Sequence, residues 1–147
     1  MAHAMLRHAC RLQGLSRRVR VESAGTHVAG AGARPDARVL TILDKHGINA
    51  ARLRSRPFAV GDFQRFDQIL VMDQGHLSWL EALQERESQG PGTQPRMVME
   101  FSEHYSETEV PDPYYANTAA FDFVFERLTD ACGGIMKQDV LPRFARD

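Results

Sequence analysis

The chain has few cysteines and no long apolar segment. These two features argue against disulfide-rich and membrane-spanning classes of protein. Its 147 residues contain two cysteines, Cys10 and Cys132, and no C-x-x-C pair. A disulfide scaffold or a cysteine-based zinc site is therefore not expected. No segment approaches the roughly 20 apolar residues that cross a bilayer, and no secretory signal is visible. We expect a cytoplasmic protein with free thiols and no membrane partner.

The chain also has little net charge of either sign. The formal charge is −1 at pH 7 and the isoelectric point is near 6.6. A nucleic-acid partner is not expected, because phosphate contacts require a basic face. The six histidines are scattered without the H-E-x-x-H spacing of a zinc site, so we expect no metal and no cofactor. Hydrophobic residues make up 43% of the chain, which is enough for the core of one domain.

Helical and extended patterns alternate along the sequence. Glycine, proline, glutamine and serine crowd residues 84–95, which we interpret as a loop. Helical spacing or capping residues predict helices, and β-rich runs predict strands. The predicted helices are 1–12, 35–45, 73–83 and one with Phe121, Val124, Leu128 and Cys132 on a single face; the predicted strands are around Val19 and Val21, at 67–72 and at 97–101. This alternation predicts an α/β fold with a doubly wound parallel sheet and helices on both faces.

The most distinctive motif is V-P-D-P-Y-Y, which runs from Val110 to Tyr115. Pro111 and Pro113 fix φ on either side of Asp112 and disfavour a helix, so the carboxylate is held on a stiff turn with two tyrosines beside it. A fixed carboxylate of this kind suits general acid catalysis. The dipeptide D-P on its own is also an ordinary way to open a turn.

Five motifs, in order and at matching spacing, resemble the low-molecular-weight protein tyrosine phosphatases. Besides V-P-D-P-Y-Y they are V-E-S-A-G-T (21–26), A-R-P-D-A-R-V-L (33–40), H-G-I (46–48) and F-D-Q-I-L-V-M-D (66–73). The resemblance implies a phosphatase domain over 1–134, followed by a C-terminal tail over 135–147. The implied fold is that of this family, whose central first strand leads into the catalytic loop.

The catalytic loop of that family, C-x5-R-[ST]-P, does not occur in these 147 residues. Six positions beyond Cys10 stands Ser16, and six beyond Cys132 stands Gln138, so neither cysteine has the required arginine. The family commonly has M-A-E directly after this loop, and the chain starts Met1-Ala2-His3. We therefore expect that Met1 lies just past the position of this loop and that the central first strand is missing from this chain.

The resemblance assigns roles to the residues that do match. In the family a thiolate attacks phosphorus and an arginine holds the phosphoryl oxygens, while the aspartate of D-P-Y-Y protonates the leaving phenol. That aspartate is Asp112 here. Tyr114 and Tyr115 match tyrosines at the mouth of the active site, although simple packing is an equal alternative. Ser23 matches a serine that supports the catalytic loop, or is a plain turn residue, and Asp73 matches a structural aspartate, which we interpret as a helix N-cap.

Three functions remain open at this point. The first is a protein tyrosine phosphatase that acts on phosphotyrosine-containing proteins or small aryl phosphates, with Met1 an internal methionine. The second is a truncated pseudophosphatase that serves as a binding partner. The third is the arsenate-reductase branch of the same fold, which uses a cysteine relay. For residues 1–147 alone we expect no turnover, because an acid without nucleophile or phosphate clamp cannot act.

Overall fold

A computed structural model describes residues 1–28 and 30–145. Within these ranges the structure has six α-helices and two strands, which are in chain order α1 (Ala2–Leu12), α2 (Ala37–Lys45), α3 (Asp62–Arg65), β1 (Ile69–Val71), α4 (Gln74–Glu87), β2 (Pro95–Met97), α5 (Thr118–Ile135) and α6 (Leu141–Phe144). A 3₁₀ turn follows β2, and a π-helical turn joins α5 to α6. Among the described residues, none of the helices combines the length and the apolar character that a membrane crossing needs.

Three of these helices begin at a polar side chain that caps free backbone N–H groups. Asp36 accepts from the Arg38 amide at the start of α2, Asp73 accepts from the His76 amide at α4, and Asn117 accepts from the Ala120 amide at α5. An N-cap of this type stabilises a helix by about 1 kcal/mol. The caps also fix where each helix leaves the preceding loop, and each of those loops carries at least one predicted site residue.

The two strands pair in parallel, with Ile69 opposite Pro95 and Val71 opposite Met97. Alternate side chains of β1 enter different cores, as the twofold period of a strand requires. Ile69 and Val71 pack with residues of α3 and α4, whereas Leu70 packs against the larger core that includes residues of α1, α2 and α5. Helices therefore cover both faces, which confirms the α/β fold with a parallel sheet.

Three local predictions are wrong. Val98, Met99 and Phe101 do not form a strand, because all three are buried and a turn of 3₁₀ helix can bury successive residues where a strand would expose alternate ones. Helix α4 extends to Glu87, four residues into the predicted loop. Val19 and Val21 lie in an irregular segment, and the isolated bridge that follows within the described residues pairs Gly25 with Pro57.

The chain remains helical beyond Ile135. Met136 is buried with Cys10 and Leu15 in a small cluster beneath α1, and Phe144 packs at its edge. The segment 135–147, predicted as a tail, thus contains packed residues over the part that the structure describes.

Candidate active site

Asp112 lies on an exposed turn in the long connection between the 3₁₀ turn and α5. Its Oδ1 accepts a hydrogen bond from the backbone N–H of Tyr114 at 3.0 Å. This contact closes an Asx turn across Pro113, so that the carboxylate is held by its own backbone as well as by the prolines. The geometry leaves Asp112 open to solvent and to an approaching molecule.

Two contacts attach this loop to the carboxyl end of β1. The N–H of Val110 donates to the carbonyl oxygen of Met72 at 2.8 Å, and a Glu109 carboxylate oxygen accepts from the Gln74 amide at 2.9 Å. Val110 is buried. The carboxyl ends of parallel strands are where open α/β sheets place their ligand sites, and the loop with Asp112 is fixed at that edge.

Arg38, on the first turn of α2, reaches across to the same loop. Its guanidinium donates to the carbonyl oxygens of Tyr114 at 2.9 Å and of Ala116 at 3.2 Å. It also forms two side-chain hydrogen bonds with Asp36, at 3.0 and 2.9 Å. The bonds from Arg38 lower the pKa of Asp36, which keeps this carboxylate charged. Sequence reasoning missed Arg38, although it lies within the A-R-P-D-A-R motif.

The tyrosine pair is exposed and self-contacting. Tyr115 is 96% exposed and Tyr114 is 55% exposed. Their rings meet edge to face with centroids 4.9 Å apart, and the Arg38 guanidinium lies 5.9 Å from the centre of the Tyr114 ring. Aromatic surface at such exposure is unusual and is available to a partner or substrate ring.

Ser23 and Asp73 have local partners of their own. The Ser23 hydroxyl lies 2.8 Å from Nδ1 of His3, and burial, with further contributions from Arg7 and the N-terminus, lowers the pKa of His3. Asp73 caps α4 through the His76 amide at 2.8 Å. Both contacts explain how these side chains are oriented.

A cavity of about 350 Å³ separates the segment 19–26 from β1. Its walls are mostly apolar and include Leu6, Val21, Ile69 and Val98, and Ser23 is also part of its lining. Asp112 and the tyrosine pair are not part of its lining. The structure therefore places Ser23 at this cavity and the V-P-D-P-Y-Y loop apart from it, beyond Met72.

Neither cysteine is placed as a nucleophile. Cys132 lies on the buried face of α5, in the main core, and burial raises its pKa to about 12. Cys10 is buried as well, with Sγ 3.8 Å from Sδ of Met136, and burial raises its pKa too. A thiol reacts as the thiolate, which is favoured by cations or a helix N-terminus rather than by apolar surroundings. Among the described residues, no group of three or more His, Cys, Asp or Glu side chains is arranged to hold a metal ion.

Comparison with known proteins identifies the family. Residues 1–141 match the low molecular weight phosphotyrosine protein phosphatase family. The phosphatase of that name from Schizosaccharomyces pombe is 32% identical over 141 residues, which cover 93% of this chain and 86% of the relative. PtpA of Staphylococcus epidermidis, a low molecular weight protein-tyrosine-phosphatase, is 31% identical over 138 residues, covering 92% and 82%.

Solved structures agree with the sequence matches. A protein tyrosine phosphatase from Entamoeba histolytica superposes with a TM-score of 0.84 at 27% identity, over 97% of this chain and 88% of that one. The chain belongs to the low molecular weight phosphotyrosine protein phosphatase family.

Proposed function

We propose that this domain serves the hydrolysis of phosphotyrosine, in proteins or in small aryl phosphates, with Asp112 as the general acid. Family membership supports the reaction class. The Asx turn at Asp112 supports the acid role, because a general acid must be held in place while remaining accessible. The exposed rings of Tyr114 and Tyr115 would border a phenolic substrate. The free thiols support a reducing, cytoplasmic compartment.

We also propose that residues 1–147 by themselves do not turn over phosphate esters. Hydrolysis through a phosphocysteine needs a thiolate to attack phosphorus, with the leaving phenol taking its proton from the acid. The observation that supports this proposal is the burial of both cysteines with raised pKa values. The same burial argues against the cysteine relay of an arsenate reductase. Without the thiolate and the arginine of a C-x5-R loop, no nucleophile attacks phosphorus, and Asp112 has no leaving phenol to protonate.

The inactivity is tested with p-nitrophenyl phosphate and the 147-residue chain. We expect a rate equal to that of buffer, and the same rate for Cys10→Ser and Cys132→Ser. Turnover that either serine variant abolishes would overturn this part of the proposal, because it would identify one of these thiols as a working nucleophile.

The acid role is tested in a fusion that places a strand and a C-x5-R-S loop ahead of Met1. Asp112→Asn should slow this fusion more with phenyl phosphate than with p-nitrophenyl phosphate, since a poorer leaving group depends more on protonation. A loss of about 10²–10⁴ is typical when a general acid is removed. Equal losses with both esters would assign Asp112 a structural role instead.

A further inference from the structure

We propose that Arg38 is the positioning residue that holds Asp112 and the tyrosine pair in their observed geometry. It acts through the backbone of the loop and not by touching substrate. The relevance of this inference to catalysis rests on the proposed role of Asp112 as the general acid. The effect of Arg38 on the geometry of the loop can be measured without any turnover.

The connection between Arg38 and the acid is short. The Tyr114 residue carries both contacts, since its N–H donates to the Asp112 carboxylate and its carbonyl oxygen accepts from Arg38 at 2.9 Å. Ala116 supplies a second carbonyl, at 3.2 Å. Arg38 thus binds the loop at two residues that follow Asp112, just before Asn117, which is the N-cap of α5.

The guanidinium is itself fixed on two sides. Asp36 binds it through both carboxylate oxygens, and the buried ring of Phe121 lies beneath it, 4.3 Å from centroid to Cζ. Arg38 keeps 38% of its side chain exposed, so solvent screening weakens each charge contact. Arg38 contributes mainly through its geometry. The planar guanidinium donates four hydrogen bonds, two to the Asp36 carboxylate and one to each carbonyl oxygen, whereas an ammonium group has only three N–H donors.

The loop needs such a tether because it lacks regular structure. Residues 102–117 form neither helix nor strand, and loops of this length in a compact domain are uncommon unless functional. Arg127 fixes the earlier half, binding Glu107 at 2.7 Å between the rings of Tyr105 and Phe123. Arg127 therefore provides a matched control with the same chemistry on the half of the loop without the acid.

The experiment is an NMR comparison of the 147-residue chain carrying Arg38→Met, Arg38→Lys or Arg127→Met. In the parent, the Tyr114 amide should be protected from solvent exchange, because this N–H donates to the Asp112 carboxylate. In Arg38→Met we expect amide exchange at Tyr114 to become at least fivefold faster. Arg38→Lys should recover part of this protection, and Arg127→Met should leave it unchanged.

Retention of the parent exchange rate at Tyr114 in Arg38→Met would overturn the proposal. So would an equal loss of protection in Arg127→Met, which would indicate general loosening of the loop. If Arg38→Met does not fold, Asp36→Asn replaces it, because asparagine still caps α2 while the charged partner of Arg38 is lost. An unchanged exchange rate at Tyr114 in that variant would also overturn the proposal. The comparison of leaving groups in Asp112→Asn shows separately whether Asp112 is the general acid. The positioning role of Arg38 and the acid role of Asp112 can therefore fail independently.

Discussion

Gly134, near the end of α5, lies directly against the carbonyl oxygen of Phe101. A Cβ added at Gly134 would stand 1.7 Å from that oxygen, whereas one added at the neighbouring Gly133 would meet nothing within 4 Å. Helix α5 thus packs on the 3₁₀ turn through bare backbone, and that contact sets how closely the two approach. The spacing in turn places the start of the loop that leads to Asp112.

We predict that Gly134→Ala destabilises the protein by about 3 kcal/mol or more, since backbone on both sides must move. Gly133→Ala is the matched control. It should be neutral or stabilising by up to about 1 kcal/mol, because alanine favours a helix over glycine and this position is open. Urea midpoints of the two variants measure the difference; similar midpoints would contradict the close packing.

A second pair, His104 and Asp130, fixes the beginning of the loop and makes it sensitive to pH. Nδ1 of His104 lies 2.5 Å from Oδ1 of Asp130, and the hydrogen bond that His104 donates to this carboxylate raises the pKa of His104. A raised histidine pKa adds stability that is complete below the unfolded value of about 6.5 and is lost as pH rises through the folded value.

The parent should therefore exceed His104→Gln in stability at pH 5.5, and the gap should narrow by pH 9. His8→Gln serves as the control, since the His8 ring contacts the Arg11 guanidinium rather than a carboxylate. Urea midpoints of all three proteins at both pH values make the comparison. A gap for His104→Gln that does not change with pH would show that the ion pair contributes nothing.

The lowered pKa of Asp130 predicts that the protein loses stability in acid. Burial alone would raise its pKa, but hydrogen bonds from Ser102, His104 and the backbone of Glu103 outweigh burial and lower the pKa to about 2. A lowered pKa adds stability above the unfolded value of about 4, and this stability is lost as pH falls through the folded value. Asp130→Asn should cost about 2 kcal/mol near pH 6 and little near pH 2. Equal costs in urea unfolding at both pH values would show that the charge is not responsible.

Because both cysteines are buried, we predict that they react slowly with thiol reagents while the chain is folded. At pH 8 the folded chain should react with iodoacetamide at least tenfold more slowly than the same chain in urea, because the thiolate is disfavoured and access is blocked. Mass spectrometry counts the added groups and assigns them to Cys10 or Cys132. Rapid labelling of Cys10 in the folded chain would contradict the raised pKa and would reopen the possibility that it reacts.

The sequence predicted most elements whose signal is local. The N-cap at Asp73 and the helical face of α5 are marked within a few residues of the chain, and α1, α2 and α5 appear where expected. Residues 98–101, V-M-E-F, form a 3₁₀ turn and not the predicted strand. A run of four residues is too short to show a helical or extended period, so the conformation depends on packing against α5.

The sequence by itself determined the family and which residue could serve as the acid, because ordered motifs and paired prolines are written along the chain. It also showed that no C-x5-R loop occurs in these residues. The tertiary structure alone decided that both thiols are buried, that Ser23 meets His3, and that Arg38 reaches the backbone beyond Asp112. These contacts join residues that are 20 to 126 positions apart in the sequence. Burial and long-range hydrogen bonds depend on packing that no local pattern encodes.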